Sequence, residues 1–414
     1  MRDQIEKYYF KIITGPGRDF WVSLARVFLW VLSQLYRLII NLRAHLYRMK
    51  ILRAHSVTAW VISVGNITLG GTGKTPVVER LARLLSSRGR KVAIVSRGYR
   101  RKTGPRLRRI KEKILGAPTT RIVSDGQRIF LNARVAGDEP YMLASNLKDV
   151  PVLVNRRRAK AALYAVRRFK ADTIILDDGF QHVGLKRDLD IVLVDSEYPF
   201  GNGYLFPRGF LRERPRHLNR ADLAIITKAK TTPVELKREL HRLNPRMEIL
   251  DCGYKPLYLR DLRTSIRASL DYLRGTKIYA LAGIARPEGF KQLLEEQGAN
   301  IVETRWFPDH HFYSQQELID ILNRAWQISA EALVTTEKDA ARFAKLSPAG
   351  LPVYSLRVEM ETLPGEEDFD RSMLKLLRRR EKRLLEEARG AGRHKIIINE
   401  ETRMRNDEKM TKPE

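Results

Sequence analysis

From Phe20 to Leu46 the chain reads FWVSLARVFLWVLSQLYRLIINLRAHL, and its apolar positions recur at helical rather than strand spacing. Wound as a helix, Trp21, Leu24, Phe28, Val31, Leu32, Leu35, Ile39 and Leu42 form a wide apolar face. Arg26, Ser33, Arg37 and Asn41 line the other side, and Arg43 and Arg48 flank the end. The longest unbroken apolar run is Val27 to Leu32, because Arg26, Gln34 and Arg37 interrupt it, so the segment reads as a poor bilayer span. Aromatics and arginines on one helix suit the headgroup boundary of an anionic leaflet. Packing against its own domain is the plainer alternative.

Beyond residue 57 the pattern changes to short β-rich runs alternating with helical stretches. AWVISVGNI, a glycine loop, TPVVERLARLLSSRG and KVAIVSRGY read as strand, loop, helix and strand, a parallel βαβ unit. VPVLV, DTIILDD, LDIVLVD and ADLAIITK follow as buried strands, interleaved with helices such as RRRAKAALYAVRRF. A second α/β set begins near residue 276, from KIYALAGI to EALVTTEK. Between the two sets, RMEILDCGYKPLYLRD has the character of a strand. From about Leu374 the sequence turns charged, with little to bury, and predicts a short helix followed by disorder.

Composition sharpens this picture. The 414 residues suit two domains, and 77 Lys+Arg against 48 Asp+Glu leave a net charge of +29. Such an excess points to a polyanionic partner: nucleic acid, an acidic membrane surface or phosphorylated substrates. The single cysteine, Cys252, excludes an intramolecular disulfide. Charged residues before the apolar segment, and no small-residue cleavage site after it, argue against a secretory signal.

The stretch ISVGNITLGGTGKTPVV carries the chemistry. Gly73-Lys74-Thr75 ends like a phosphate-binding loop, G-x-x-x-x-G-K-[ST], although Thr68 stands where the opening glycine belongs. Gly70, Gly71, Thr72 and Gly73 would let backbone N–H groups curl around a phosphate, with the following helix aiming its positive end at the same anion. Lys74 would reach the β- and γ-phosphates, and the Thr75 hydroxyl would hold Mg²⁺. Pro76 fits the first helical turn. A ligand-free glycine turn is the bland alternative, but the strand before and helix after favour the cradle. Asp177 and Asp178 close the strand in DTIILDDGFQH, where a second acidic motif holds the metal, and His182 follows closely. Lys230 in IITKAK replaces the aspartate that a guanine-reading motif requires, which counts against a GTPase.

These motifs together resemble one family, the lipid A 4'-kinases (tetraacyldisaccharide 4'-kinases). The likeness rests on SVGNITLGGTGKTPVV, SRGY, AGDEP, LDDGFQH, RDLDIVLVD, FGNGYLFPRGFLRE, GIARPEGF, FPDHHFY and TTEKDAARF, in order from about residue 15 to 360. The resemblance implies transfer of the ATP γ-phosphate to the 4'-hydroxyl of a tetraacylated disaccharide 1-phosphate, giving lipid IVA, on the cytoplasmic face of the inner membrane. It implies ATP and Mg²⁺ as cofactors and a membrane-associated enzyme; the charge and the helix add an anionic membrane surface as the expected partner, with no nucleic acid, and the expected state is a monomer. Residue by residue, Lys74, Gly70 to Thr75 and His182 serve the nucleotide, while Thr75, Glu139, Asp177 and Asp178 serve the metal. Asp138 and His310 form a catalytic dyad that takes the sugar hydroxyl's proton, with Lys74 and Asp177 beside them, and Arg212 and Glu213 face the substrate. The adjacent His311 offers a second candidate for the dyad. Arg100 and Arg101 depart from the family pattern, and the basic tail has no counterpart in the family core.

The expected fold is thus α/β: a P-loop NTPase-like parallel sheet plus a smaller α/β domain, with an N-terminal amphipathic helix. The expected boundaries are 1–50 for that helix, 51–245 for the P-loop core, 246–275 for a β-ribbon linker, 276–373 for the C-terminal domain and 374–414 for the tail. Two other readings compete. A P-loop ATPase on nucleic acid would fit +29 but lacks aromatics interleaved with the basic runs. A non-catalytic nucleotide-binding scaffold at the membrane would bind ATP and make no phosphorylated lipid.

Overall fold

A computed structural model describes residues 9–15, 19–98, 120–343, 346, 350–365 and 367–390. The basic stretch Tyr99 to Lys113, with Arg100 and Arg101, and the tail beyond 390 lie outside them.

Strands β1 (Trp60–Asn66), β2 (Val92–Ser96), β3 (Arg121–Ser124), β4 (Val152–Val154), β5 (Thr173–Asp177), β6 (Leu189–Asp195) and β7 (Leu223–Thr227) build the first half. Then come β8 (Glu248–Asp261), β9 (Arg267–Ala268), β10 (Lys277–Ala282), β11 (Asn300–Trp306), β12 (Ala332–Thr336) and β13 (Val353–Thr362). They join in one sheet, ordered β11-β10-β12-β13-β8-β7-β6-β1-β5-β2-β4-β3, with β9 beside β8. The neighbours of β1 are β5 and β6, both parallel to it. Its phosphate loop therefore emerges at the carboxyl edge, between two strands that end in Asp177 and Asp195. Every residue of β1, β2, β5, β6 and β7 is buried. Continuous Val/Ile/Leu runs are what a sheet covered on both faces demands.

Helix Lys74–Ser87 covers one face of the first half with Val77, Leu81 and Leu85, and helix Arg158–Phe169 covers the other with Ala161, Ala162 and Ala165. In the second half, helices Glu288–Glu296 and Gln315–Gln327 sandwich β10 and β12 in the same manner. Strand β8 belongs to both halves. It runs parallel to β7 up to Asp251 and then antiparallel to β13 from Cys252 to Asp261.

Two differences from the sequence reading have physical causes. Strands β3 and β13 and helices Asp138–Asn146 and Val234–Leu243 were not predicted. β13, VYSLRVEMET, alternates apolar with charged residues whose buried member, Arg357, is ion-paired. The C-terminal helix spans Phe369–Gly390, and its first turns are not a charged tail. Phe369, Met373, Leu376 and Leu377 share one face and complete the core of the first half.

Helix Phe20–Arg48 is 29 residues long, and only Ser33 in it is buried. Its body-side contacts are few: Arg26 donates to the carbonyls of Ile12 and Gly15, and Tyr36 donates its Oη to the Arg212 carbonyl at 3.1 Å while its ring meets Phe206 edge-on. The outward face is wider than expected, adding Val27, Trp30 and Leu38, and Trp21 is 75% exposed. By length and composition the helix is apolar enough to cross a membrane, with a mean hydropathy of 1.4 over 18 residues.

Candidate active site

The phosphate loop is built as its residues require. Gly70 (φ 107°) and Gly73 (φ 75°) lie in the region that favours glycine, and Gly73 caps helix Lys74–Ser87. A Cβ on Gly73 would fall 1.9 Å from Tyr254 Oη, so β8 closes the back of the loop. Thr227 Oγ1 donates to the Thr72 carbonyl at 3.0 Å, tying the loop to the end of β7. Thr68 is buried, and its backbone bridges to Leu211.

Lys74 is buried, its Nζ 3.4 Å from Asn66 Oδ1 and 3.7 Å from Asp178 Oδ1. Asp178 holds a positive φ of 52° and accepts from Arg212 Nη1 on both oxygens, at 2.7 and 2.9 Å. Burial pushes its acidity the wrong way, but Lys74, Arg212 and Arg158 outweigh burial and hold it well below the usual carboxylate range. Asp177 behaves oppositely. Burial, then the charges of Glu139 and Asp178, push it up to about 7 against the pull of Lys74. One oxygen accepts from Ser96 Oγ at 2.8 Å; the other, Oδ1, is buried with no hydrogen-bond partner among the described residues.

That orphaned oxygen, in a spot with surplus negative charge, fits a divalent cation. Among the described residues no three His, Cys, Asp or Glu side chains gather tightly enough to hold a metal alone. Mg²⁺ is suited to such a site because one or two carboxylates suffice when phosphate oxygens and water complete its octahedron.

The dyad residues come from opposite halves. Asp138 opens helix Asp138–Asn146, and its Oδ2 lies 2.8 Å from His310 Nδ1. His310 sits at φ 67°, a conformation non-glycine residues adopt rarely and often at functional sites. Burial would raise the Asp138 carboxyl, but the His310 hydrogen bond and the charges of Arg342 and Lys338 hold it far below the ordinary range. His311 instead stacks on Phe307 and meets Glu317 at 3.1 Å, so the geometry selects His310.

A cleft of 2640 Å³ collects these groups. Gly70, Gly71, Lys74, Glu139, Asp178, His182, Arg212, Glu213 and His310 line it. Thr72, Gly73, Thr75, Asp138 and Asp177 do not; Thr72, Asp138 and Asp177 are buried behind it, and Gly73 and Thr75 are half-buried. Glu213 is buried against His217 and Arg220, at 2.8 and 2.9 Å, so it is already ion-paired inside the protein. His182 lies among cations. Burial first, then Arg158, Arg43, Arg187 and Arg97, pull it down to about 4.

Several participants escaped sequence reasoning. Arg158 is buried with its Nε unpartnered among the described residues, beside Asp177 and Asp178. Its only signal is its place at the start of a helix in an arginine-rich run. Lys338 bridges Asp309 (3.1 Å) and Glu139 (3.8 Å), and Arg342 binds Asp138; both lie within motifs quoted for the family likeness. Tyr254 and Thr227 carry no sequence signal, since only the sheet order brings them to the loop.

A family model described as tetraacyldisaccharide-1-P 4'-kinase matches residues 25–378. A tetraacyldisaccharide 4'-kinase from Halothermothrix orenii is 39% identical over 387 residues, covering 89% of this chain and 97% of its own. The namesake from Syntrophus aciditrophicus is 40% identical over 374 residues, with 88% and 96% covered. Among solved structures, the "apo" form of LpxK from Aquifex aeolicus in complex with ATP superposes with a TM-score of 0.66 at 30% identity, covering 86% of this chain and 99% of that one. With a family model spanning most of its length and relatives at 39–40% identity, this chain belongs to the tetraacyldisaccharide-1-P 4'-kinase family.

Proposed function

We propose that this tetraacyldisaccharide 4'-kinase moves the γ-phosphate of ATP onto the 4'-hydroxyl of a tetraacylated glucosamine disaccharide 1-phosphate, producing lipid IVA. It does so as a monomer resting on the cytoplasmic face of the inner membrane. The observation that carries this reading is that Lys74 of the phosphate loop and His310 of the opposite half line one cleft. Phosphoryl transfer needs positioning and charge neutralisation more than covalent chemistry.

Lys74 and the backbone amides of Gly70 to Gly73 hold the triphosphate and offset charge building on the γ-phosphoryl oxygens. Asp177 and the Thr75 hydroxyl would hold Mg²⁺, with Glu139 and Asp178 adding negative charge nearby; when bound, it would supply neutralisation of phosphate charge. Arg212, fixed by Asp178, lines the cleft and adds a cation for the phosphates beside Lys74. Because Asp138 is held ionised by three neighbours, it is a weak proton acceptor. The imidazole of His310 takes the hydroxyl proton, and Asp138 orients the ring and stabilises the imidazolium. We read the two halves as lobes whose approach assembles the site and excludes water.

The lipid acceptor stays in its leaflet, so the enzyme must come to it. Helix Phe20–Arg48 offers its apolar face to acyl chains, and the cleft continues from Gly70 to Tyr36, Ile39 and Leu42 on that helix. Product analysis tests the reading: ³¹P NMR of the lipid made from disaccharide 1-phosphate and ATP is expected to show a second phosphomonoester on the distal sugar's 4'-oxygen. Phosphate found elsewhere on the lipid would overturn it.

A further inference from the structure

We propose that Arg342 is a positioning residue for the transfer step, its guanidinium fixing the Asp138 carboxylate and, through it, the His310 ring. This rests on the reading of His310 as the proton acceptor. Arg342 heads the fully buried side chains by size, at 1% exposure. Its Nε donates to Asp138 Oδ2 at 2.9 Å and its Nη2 binds the same oxygen, which is also the one facing His310 Nδ1. A single carboxylate oxygen therefore carries two guanidinium donors from one segment and the imidazole from another, 204 residues downstream of Asp138 in the first case.

The guanidinium has anchors of its own. Nη1 donates to the Gly283 carbonyl at 2.9 Å and to Asp339 Oδ1 at 3.2 Å. Asp339 is itself pinned by Tyr313 Oη (3.1 Å) and Thr336 Oγ1 (2.6 Å). The cage is tight: a Cβ on Gly283 would fall 2.8 Å from Asp339 Oδ1 and 2.9 Å from Tyr313 Oη. The second half thus presents a fixed fork, onto which Asp138 from the first half docks. Stability alone is a weak reason for such a pair, because buried ion pairs are often replaceable by apolar residues at no cost. What an apolar substitute cannot do is hold one carboxylate oxygen at a set point against a histidine. An Nδ1–H donated to that oxygen leaves Nε2, 3.6 Å from Asp309 Oδ2, as the accepting nitrogen of the ring. Asp309, Lys338, Glu139 and Asp339 are the other charged groups around this junction.

The test compares steady-state kinetics of Arg342→Lys, Asp339→Asn, His310→Ala and the Arg342→Lys/His310→Ala double variant. Arg342→Lys keeps the charge and loses the fork, and kcat is expected to fall by about tenfold to 10²-fold with KM for ATP and lipid unchanged. Asp339→Asn, which loosens the guanidinium without touching Asp138, is expected to give the same kcat-only loss. In the His310→Ala background the Arg342→Lys change should alter kcat by less than about twofold, because residues acting as a unit are not additive. Wild-type kcat in both Arg342→Lys and Asp339→Asn, or an equal further loss in the His310→Ala background, overturns the proposal while leaving the dyad intact. Full kcat in His310→Ala overturns the dyad itself, a separate result.

Discussion

Gly73 and His182 show how single residues set local conditions around the cleft. Gly73 combines a positive φ with a tyrosine oxygen where a Cβ would stand. In Gly73→Ala the left-handed conformation alone costs about 1–2 kcal/mol, and Tyr254 must also move. The expected outcome is a lowered melting temperature and a weakened affinity for a fluorescent ATP analogue; unchanged affinity would show that the loop does not meet the phosphates. His182 titrates near 4 in the folded protein against 6.5 when unperturbed. Between those values the unfolded chain binds a proton that the folded chain refuses. The stability tied to a neutral His182 is therefore present above pH 6.5 and is lost as pH falls toward 4. His182→Gln should flatten the decline in melting temperature from pH 7 to pH 4.5. An identical decline in both proteins would contradict the assignment.

Among the elements, β13 and helix Lys74–Ser87 are joined by a buried charge cluster. Arg357 on β13 pairs with Glu79 on that helix and, at 2.9 Å, with Glu337, which opens the short helix Glu337–Ala340 bearing Lys338. Arg357→Leu leaves the buried Glu79 with Arg83 as its one cation among the described residues and a 3.4 Å hydrogen bond from Asn146, and is expected to cost about 3–5 kcal/mol in denaturant unfolding. A cost under about 1 kcal/mol would mean that Arg83 suffices. Helix Phe20–Arg48 carries a different expectation. Leu35→Glu/Ile39→Glu should weaken sedimentation with anionic vesicles while sparing ATP affinity, and unchanged sedimentation would remove the helix from membrane contact. The strands that end in the glycine loop and in Asp177 were legible because fully buried β runs are nearly all Val, Ile and Leu. Strand β13 was not, since its buried Arg357 mimics a solvated position. The dyad was legible only through the family's motifs, because Asp138 and His310 meet 172 residues apart through sheet order. Arg342 and Tyr254 owe their roles to the same long-range topology, which no local spacing encodes.

For the whole molecule, one sheet runs unbroken from β11 to β3 and turns its carboxyl edge to a cleft rich in cations and bordered by the apolar helix. On the proposed membrane attachment, the net charge of +29 predicts salt-sensitive association with anionic bilayers, as surface charges are screened within about 8 Å at physiological ionic strength. Fewer bound molecules at higher salt, with residual apolar attachment, is the expected vesicle result. Transfer of label decides the central claim most directly. Purified protein is given γ-³²P-ATP, Mg²⁺ and tetraacyldisaccharide 1-phosphate in mixed micelles, beside a Lys74→Met variant of equal stability. Labelled bisphosphorylated lipid from the wild type, reduced at least about 10²-fold in the variant, is the predicted result. Equal labelling by both proteins, or ATP bound by the wild type with no label ever reaching lipid, would contradict it.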